Sequence, residues 1–203
     1  MSEPLKALQE KIGATPDGAF GPNTARAICE HYELNPVRGA HLLGQASHES
    51  AGFRITEENL NYSIASMMRV WPSRFPTKES ARPYARNPQA LADHVYGGRM
   101  GNNGEGWKWR GRGFLQLTGR DNYSAFSTDM AFPQVMIEPD MVEDYYAFET
   151  ALWFFDKNKL FDIADEGVNE DTIKSITKRV NGGYVGLDDR IEYTNKIHKW
   201  LSA

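Results

Sequence analysis

Two short stretches carry acids at a spacing that could do chemistry: Ser47-His48-Glu49-Ser50-Ala51-Gly52, and then Glu57-Glu58-Asn59-Leu60-Asn61-Tyr62-Ser63. Hydrolysis of a glycosidic bond needs two carboxyl groups in unlike environments, one protonated to assist the leaving oxygen and one ionised to activate water or attack the sugar. Glu49 and Glu58 supply such a pair. A carboxyl separation of roughly 6.5–9.5 Å leaves room for a water and gives inversion, whereas about 5 Å gives retention. Glu57 competes for the second role. Adjacent side chains point in different directions, so only one of Glu57 and Glu58 can face Glu49, and residue type does not choose between them.

Other chemistries fit less well. A zinc-protease motif beginning at His48-Glu49 requires a second histidine where Gly52 stands. Cys29 lies among the helix-periodic residues Ala25, Ile28 and Tyr32, which reads as a buried small hydrophobe rather than a nucleophile. There is no Gly-x-Ser-x-Gly elbow, and neither glycine pattern that cradles phosphates occurs. No metal and no cofactor is expected. His48, lacking a second ligand, is expected to be a structural histidine that hydrogen-bonds near the acid.

The elements that must position these residues are helical. Asn35-Pro36 reads as an N-cap with proline at the first helical position, and Gly52 as the stop, which sets Glu49 in the last turns. Leu42, Gln45 and Ala46 precede Glu49 on the same face, so the acid is expected to project from a largely apolar stripe, where desolvation favours its protonated form. Residues 4–12 and 23–31 read as short helices separated by Asp17-Gly18 and Gly21-Pro22 turns. Ser63 caps a helix bearing Met67, Met68 and Trp71, and Asn87-Pro88 starts one that ends at Tyr96. Asp140 opens an apolar segment expected to be the central core helix, Asn169 to Val180 gives another, and Leu187 to Leu201 the last.

Between Gly97 and Gly113 seven of 17 residues are glycine, with Trp107, Trp109, Arg110 and Arg112 among them. The composition predicts a mobile wall whose indoles pack on sugar rings; the alternative is a loop anchored by tryptophans in the core. Phe114-Leu115-Gln116-Leu117-Thr118 alternates, and if extended it turns Gln116 and Thr118 to one face.

The 203 residues suit one sizeable core, or a core with a small appendage. A net charge of −4 argues against nucleic acid as a partner, and one cysteine excludes a disulfide within the chain. The start, Met1-Ser2-Glu3-Pro4, has neither the basic nor the apolar region of a signal peptide, and no run is long and apolar enough to span a bilayer. Synthesis in the cytoplasm, no stable membrane association and a monomer are expected.

Taken together, Ser47-His48-Glu49-Ser50 with Gly52, Glu58-Asn59-Leu60-Asn61-Tyr62-Ser63, Val95-Tyr96-Gly97-Gly98-Arg99-Met100-Gly101-Asn102, Trp109-Arg110-Gly111-Arg112-Gly113-Phe114-Leu115-Gln116-Leu117-Thr118-Gly119 and Val180-Asn181-Gly182-Gly183 occur in the order seen in family 19 glycoside hydrolases. The resemblance covers about residues 36 to 200 and is greatest to phage endolysins and phage-derived bacterial members. It implies a mostly α, lysozyme-like fold with two lobes and a central substrate cleft, and hydrolysis of β-1,4 bonds between N-acetylated sugars with inversion. Carried over by position, it makes Glu49 the general acid, Glu58 the general base and Thr118 the residue that holds the attacking water. Gln116, Asn181 and Arg190 match substrate-cleft positions, as do Tyr62 and Arg112 less closely.

The segment Leu8-Gln9 with Pro16 to Thr24 is similar to half of a helical peptidoglycan-binding repeat. The resulting division is residues 1–34 as that segment, packed on a catalytic domain of residues 35–203. The absent cysteines, the short spacing between the two acids and this segment point to peptidoglycan glycan strands rather than chitin. The expectation is an endolysin admitted to the periplasmic wall after a separate protein permeabilises the membrane. A chitinase or an antibacterial effector of the same fold, and a non-catalytic wall-binding protein, are the alternatives.

Overall fold

The computed structural model describes residues 2–203. Among these, twelve α-helices run in the order α1 (Glu3–Lys11), α2 (Pro22–His31), α3 (Pro36–Glu49), α4 (Ile64–Val70), α5 (Lys78–Ala81), α6 (Pro88–Tyr96), α7 (Arg120–Asp129), α8 (Met141–Tyr145), α9 (Ala147–Lys157), α10 (Leu160–Ala164), α11 (Glu170–Asn181) and α12 (Leu187–Leu201). Among the described residues extended pairing is limited to the isolated bridges Glu57–Arg112 and Arg112–Leu117, so the mostly α class holds. Two compact units arise: the chain up to Thr56 with Gly113–Leu115 and Met141–Ala203, and Glu57–Arg112 with Gln116–Asp140.

In the first unit the core helix is α3, not the segment after Asp140, which breaks at Tyr146 into α8 and α9. The Asn35 carboxamide accepts from the Arg38 amide and Pro36 occupies the first turn, so the start of α3 follows local cap chemistry. Every residue from Gly39 to Ser47 is buried. A helix buried all round needs close neighbours, and glycines admit them. A Cβ on Gly44 would strike the Thr194 side chain of α12, and one on Gly39 would strike Cys29 of α2. Helices α1 and α2 supply Leu5, Leu8, Ala25, Ile28 and Cys29 to the same core that holds Leu42, Leu43, Phe114, Phe148, Phe155 and Ile197. Cys29 is a buried thiol, and burial pushes its pKa up to about 12.

Helix α3 ends at Glu49 because the next residues turn left-handed: Ala51, Gly52 and Phe53 have φ of 51°, 75° and 61°. The Gly52 amide bonds the Ser47 carbonyl (2.7 Å), and Ser50 Oγ accepts from the Phe53 amide (2.9 Å). Phe53 is then driven into the core against Phe20 and Phe114, at ring separations of 4.5 and 5.0 Å. Its carbonyl accepts from Ser2 Oγ (2.5 Å), so the N-cap of α1 also braces the turn after Glu49.

The second unit packs α4 to α6 around Leu60, Met67, Phe75, Ala81, Leu91, Ala92 and Val95. Its glycine-rich stretch is tightly tied. Asn102 is fully buried, its amide nitrogen donating to the Tyr96 carbonyl (3.0 Å) and its oxygen accepting from the Arg120 amide (2.7 Å). A Cβ on Gly106 would collide with the Ala92 carbonyl, so glycine here answers to close packing. Trp109 is 1% exposed and packs edge-on against Tyr123. The expectation of a mobile wall with two sugar-facing indoles therefore fails at Trp109, which is a core anchor.

Residues 114–118 are not extended. The Arg112 and Leu117 amides and carbonyls pair with each other (3.1 and 2.7 Å), closing a tight loop with Gly113 and Gln116 at positive φ. The Phe114 amide bonds the Ala147 carbonyl (2.9 Å). Strict alternation is lost because Phe114 is claimed by the first unit's core while Leu117 closes the loop.

Candidate active site

The two acids belong to different units and have different partners. Glu49 Oε1 accepts from the Arg190 guanidinium of α12, and the ion pair is partly buried: the Arg190 side chain has no exposed surface, and that of Glu49 is one-quarter exposed. Arg190 also donates to Gln45 Oε1 (2.5 Å) and to the Val185 carbonyl (3.2 Å), and Gln45 in turn donates to Thr177 Oγ1 (3.1 Å). The expected apolar stripe beneath Glu49 is thus corrected. Leu42 and Ala46 are buried as expected, but α12 brings a cation to the end of that face. One residue back on each helix, His48 Nδ1 lies 2.5 Å from Asp189 Oδ2. His48 is therefore a structural histidine of the α3–α12 contact. Asn181 closes α11 before Gly182, which takes the left-handed C-cap conformation with φ 77°, and it is exposed.

In the second unit both oxygens of Glu58 are held. Oε1 accepts from the Gly111 amide (2.6 Å) and Oε2 from the Tyr96 hydroxyl (2.9 Å), an arrangement that needs no proton on the carboxyl. The Glu58 amide donates to the Gly111 carbonyl (3.0 Å), fixing the main chain as well. Burial first, then the facing Glu58 carboxyl, hold the Tyr96 phenol well above the usual tyrosine range, so it stays protonated and a donor. Gln116 and Thr118 converge on the same glycine: a Cβ on Gly111 would lie 2.7 Å from Gln116 Oε1, 3.0 Å from Thr118 Oγ1 and 3.3 Å from Glu58 Oε1. Thr118 Oγ1 donates to the Gln116 carbonyl (3.0 Å) and keeps its lone pairs for another donor. Thus Glu58, Gln116 and Thr118 bring polar oxygens together around Gly111. A water there could lose a proton to Glu58 while hydrogen-bonded to the threonine.

Glu57 turns elsewhere. Its carboxyl pairs with Arg110, which lies 4.1 Å over the Trp107 ring and 3.4 Å from Asp140. Arg112, expected to meet substrate, is 1% exposed and wrapped by the Lys108 carbonyl (2.9 Å), Tyr123 Oη (2.9 Å) and Asp140. Its guanidinium is directed inward, because the buried face of the loop needs its donors. Tyr62 packs against Trp71 with ring centroids 5.1 Å apart, and with Asn59, Asn61, Ser66 and Arg86 it lines a shallow polar depression. Tyr96 and Gly111 lie within the family motifs, where the sequence gives neither of them a role. No periodicity could have found them, since one is a helix-end tyrosine and the other contributes only a main-chain amide. Among the described residues no group of three or more His, Cys, Asp or Glu is placed to hold a metal ion, and no helix is long and apolar enough to cross a membrane.

No family model matches the chain. A curated protein of Haemophilus influenzae, named a glycosyl hydrolase family 19 domain-containing protein, is 36% identical over 163 residues, which span 77% of this chain and 76% of that protein. That likeness runs too far along both chains to rest on the acid-bearing motifs alone, and it places the chain in glycosyl hydrolase family 19, as a glycoside hydrolase acting on glycan.

Proposed function

We propose that this enzyme hydrolyses the β-1,4 bonds of bacterial peptidoglycan glycan strands with inversion, and that it serves as an endolysin. In this reading Glu49 protonates the leaving oxygen. Arg190 occupies Oε1, which leaves Oε2 as the oxygen that would deliver a proton. Glu58 removes a proton from a water held by Thr118, with Gln116 beside them at Gly111. Asn181 and Tyr62 contact the sugars. The observation that carries the reading is the convergence of Glu58, Gln116 and Thr118 on Gly111, because a hydroxyl beside a water-activating base can orient the nucleophile toward it. The enzyme acts as a monomer, made in the cytoplasm and admitted to the periplasmic wall by a separate permeabilising protein.

The test is mass spectrometry of the soluble fragments released from purified Gram-negative peptidoglycan, wild type beside Glu49→Gln, with the reducing-end sugar identified. Fragments ending in reducing N-acetylmuramic acid, absent from the variant, support the reading, and an α-anomer detected first by proton NMR supports inversion. Release from chitin oligomers but not from peptidoglycan would replace it with a chitinase. Binding to the wall with no fragments from wild type would sink the hydrolytic part altogether.

A further inference from the structure

We propose that Tyr96 is a positioning residue for the base: its hydroxyl, locked in place through Asn102, holds the Glu58 carboxylate in the orientation that receives the proton. The inference rests on Glu58 being the general base. Tyr96 is the last residue of α6, and its hydroxyl is 2.9 Å from Glu58 Oε2. The other oxygen is engaged by the Gly111 amide, so the carboxylate is gripped at both ends and cannot rotate without losing a donor. The grip is anchored from behind. Asn102, wholly buried, binds the Tyr96 carbonyl through its nitrogen and the Arg120 amide through its oxygen. Arg120 is two residues beyond Thr118, so one buried carboxamide ties the holder of the base to the segment that carries the water-holding hydroxyl.

Charged and titratable neighbours are few. Arg99 lies 5.8 Å from the Tyr96 ring, Tyr62 follows on the Glu58 segment, and the Glu57–Arg110 ion pair is adjacent along the chain; Gln116, Thr118 and Gly111 are neutral. Tyr96 is therefore the titratable side chain that donates directly to Glu58. A hydrogen bond to the charged form favours that form. Removing it should make Glu58 take a proton more readily and leave it less well aimed.

The experiment is Tyr96→Phe assayed on purified peptidoglycan across pH, with Glu58→Gln and wild type alongside. The expected result is a kcat about tenfold lower, unchanged wall pelleting and KM, and an acidic limb of kcat/KM moved up by about one pH unit. Placing 3-fluorotyrosine at position 96 makes a stronger donor and should move that limb the other way, which keeps the test sound if the phenylalanine variant folds poorly. An unmoved limb in both variants, with Glu58→Gln inactive, overturns the role of Tyr96 alone. Full activity in Glu58→Gln overturns the reading of Glu58 on which it rests.

Discussion

Arg190, without exposed surface, donates to Glu49 across 141 residues of sequence and joins the last turn of α3 to the first of α12. The same guanidinium reaches Gln45 and the Val185 carbonyl, so one side chain ties α3 to α12 and to the loop that precedes it. Lysine could keep the charge but not the fork that spans Gln45 and Glu49.

Arg190→Lys should therefore lower both stability and turnover. Breaking a buried, hydrogen-bonded ion pair costs about 3–5 kcal/mol. The partial exposure of Glu49 and the retained charge set the expected loss nearer about 2 kcal/mol. Thermal unfolding beside fragment release checks this. An unchanged melting temperature would show that the network contributes little to stability.

Gly111→Ala tests the polar convergence at Gly111 without removing any of its groups. The added Cβ meets the ends of the Gln116, Thr118 and Glu58 side chains at 2.7, 3.0 and 3.3 Å, and these must shift by a few tenths of an ångström. Flexible side-chain ends yield cheaply, so stability should change by less than about 1 kcal/mol. Displacement of reacting groups on this scale should nonetheless lower kcat by roughly 10- to 100-fold. Wild-type turnover in the alanine variant would mean that the convergence at Gly111 is not catalytic.

Local signals were legible where the physics is local. Asn35, Ser63 and Asn87 each cap the helix that their residue types foretold, because a cap needs only a side-chain oxygen and an amide three residues on. What stayed hidden depends on distant partners. The cation beside Glu49 arrives from α12, the burial of Trp109 depends on Tyr123, and Phe114 is drawn from the alternating pattern by the Ala147 carbonyl. Helices α5 and α10, of four and five residues, are too short to show a periodicity. The family resemblance puts Arg112 at a cleft position, yet the tight loop turns its guanidinium inward onto Asp140.

Between the two neighbouring acids the structure distinguishes by partner. Glu57 is committed to Arg110, whereas Glu58 accepts from two neutral donors, the Gly111 amide and the Tyr96 hydroxyl. Glu57→Gln should retain activity within about threefold and lose roughly 1 kcal/mol of stability, the scale of a part-exposed ion pair. Glu58→Gln should lower turnover by about 10²-fold or more while leaving the fold intact. The reverse pattern of activities would transfer the role of base to Glu57.

The stability of the first unit should depend on pH through His41. Its ring is fully buried in α3, with Nε2 3.1 Å from the Gly167 carbonyl and Nδ1 without a partner. Burial holds its pKa below the usual histidine value, since a proton on Nδ1 would add a buried charge and an unmet donor. The unfolded chain takes up that proton near pH 6.5 while the folded chain does not until lower pH. Below about pH 6.5 the unfolded state then binds more protons, so stability falls as pH falls until native His41 is protonated as well. Above that value the contribution is fully present. His41→Gln keeps a donor for Gly167 and does not titrate, so its melting temperature should fall less than that of wild type between pH 7 and pH 5. Parallel slopes for the two proteins would show that His41 is not the group responsible.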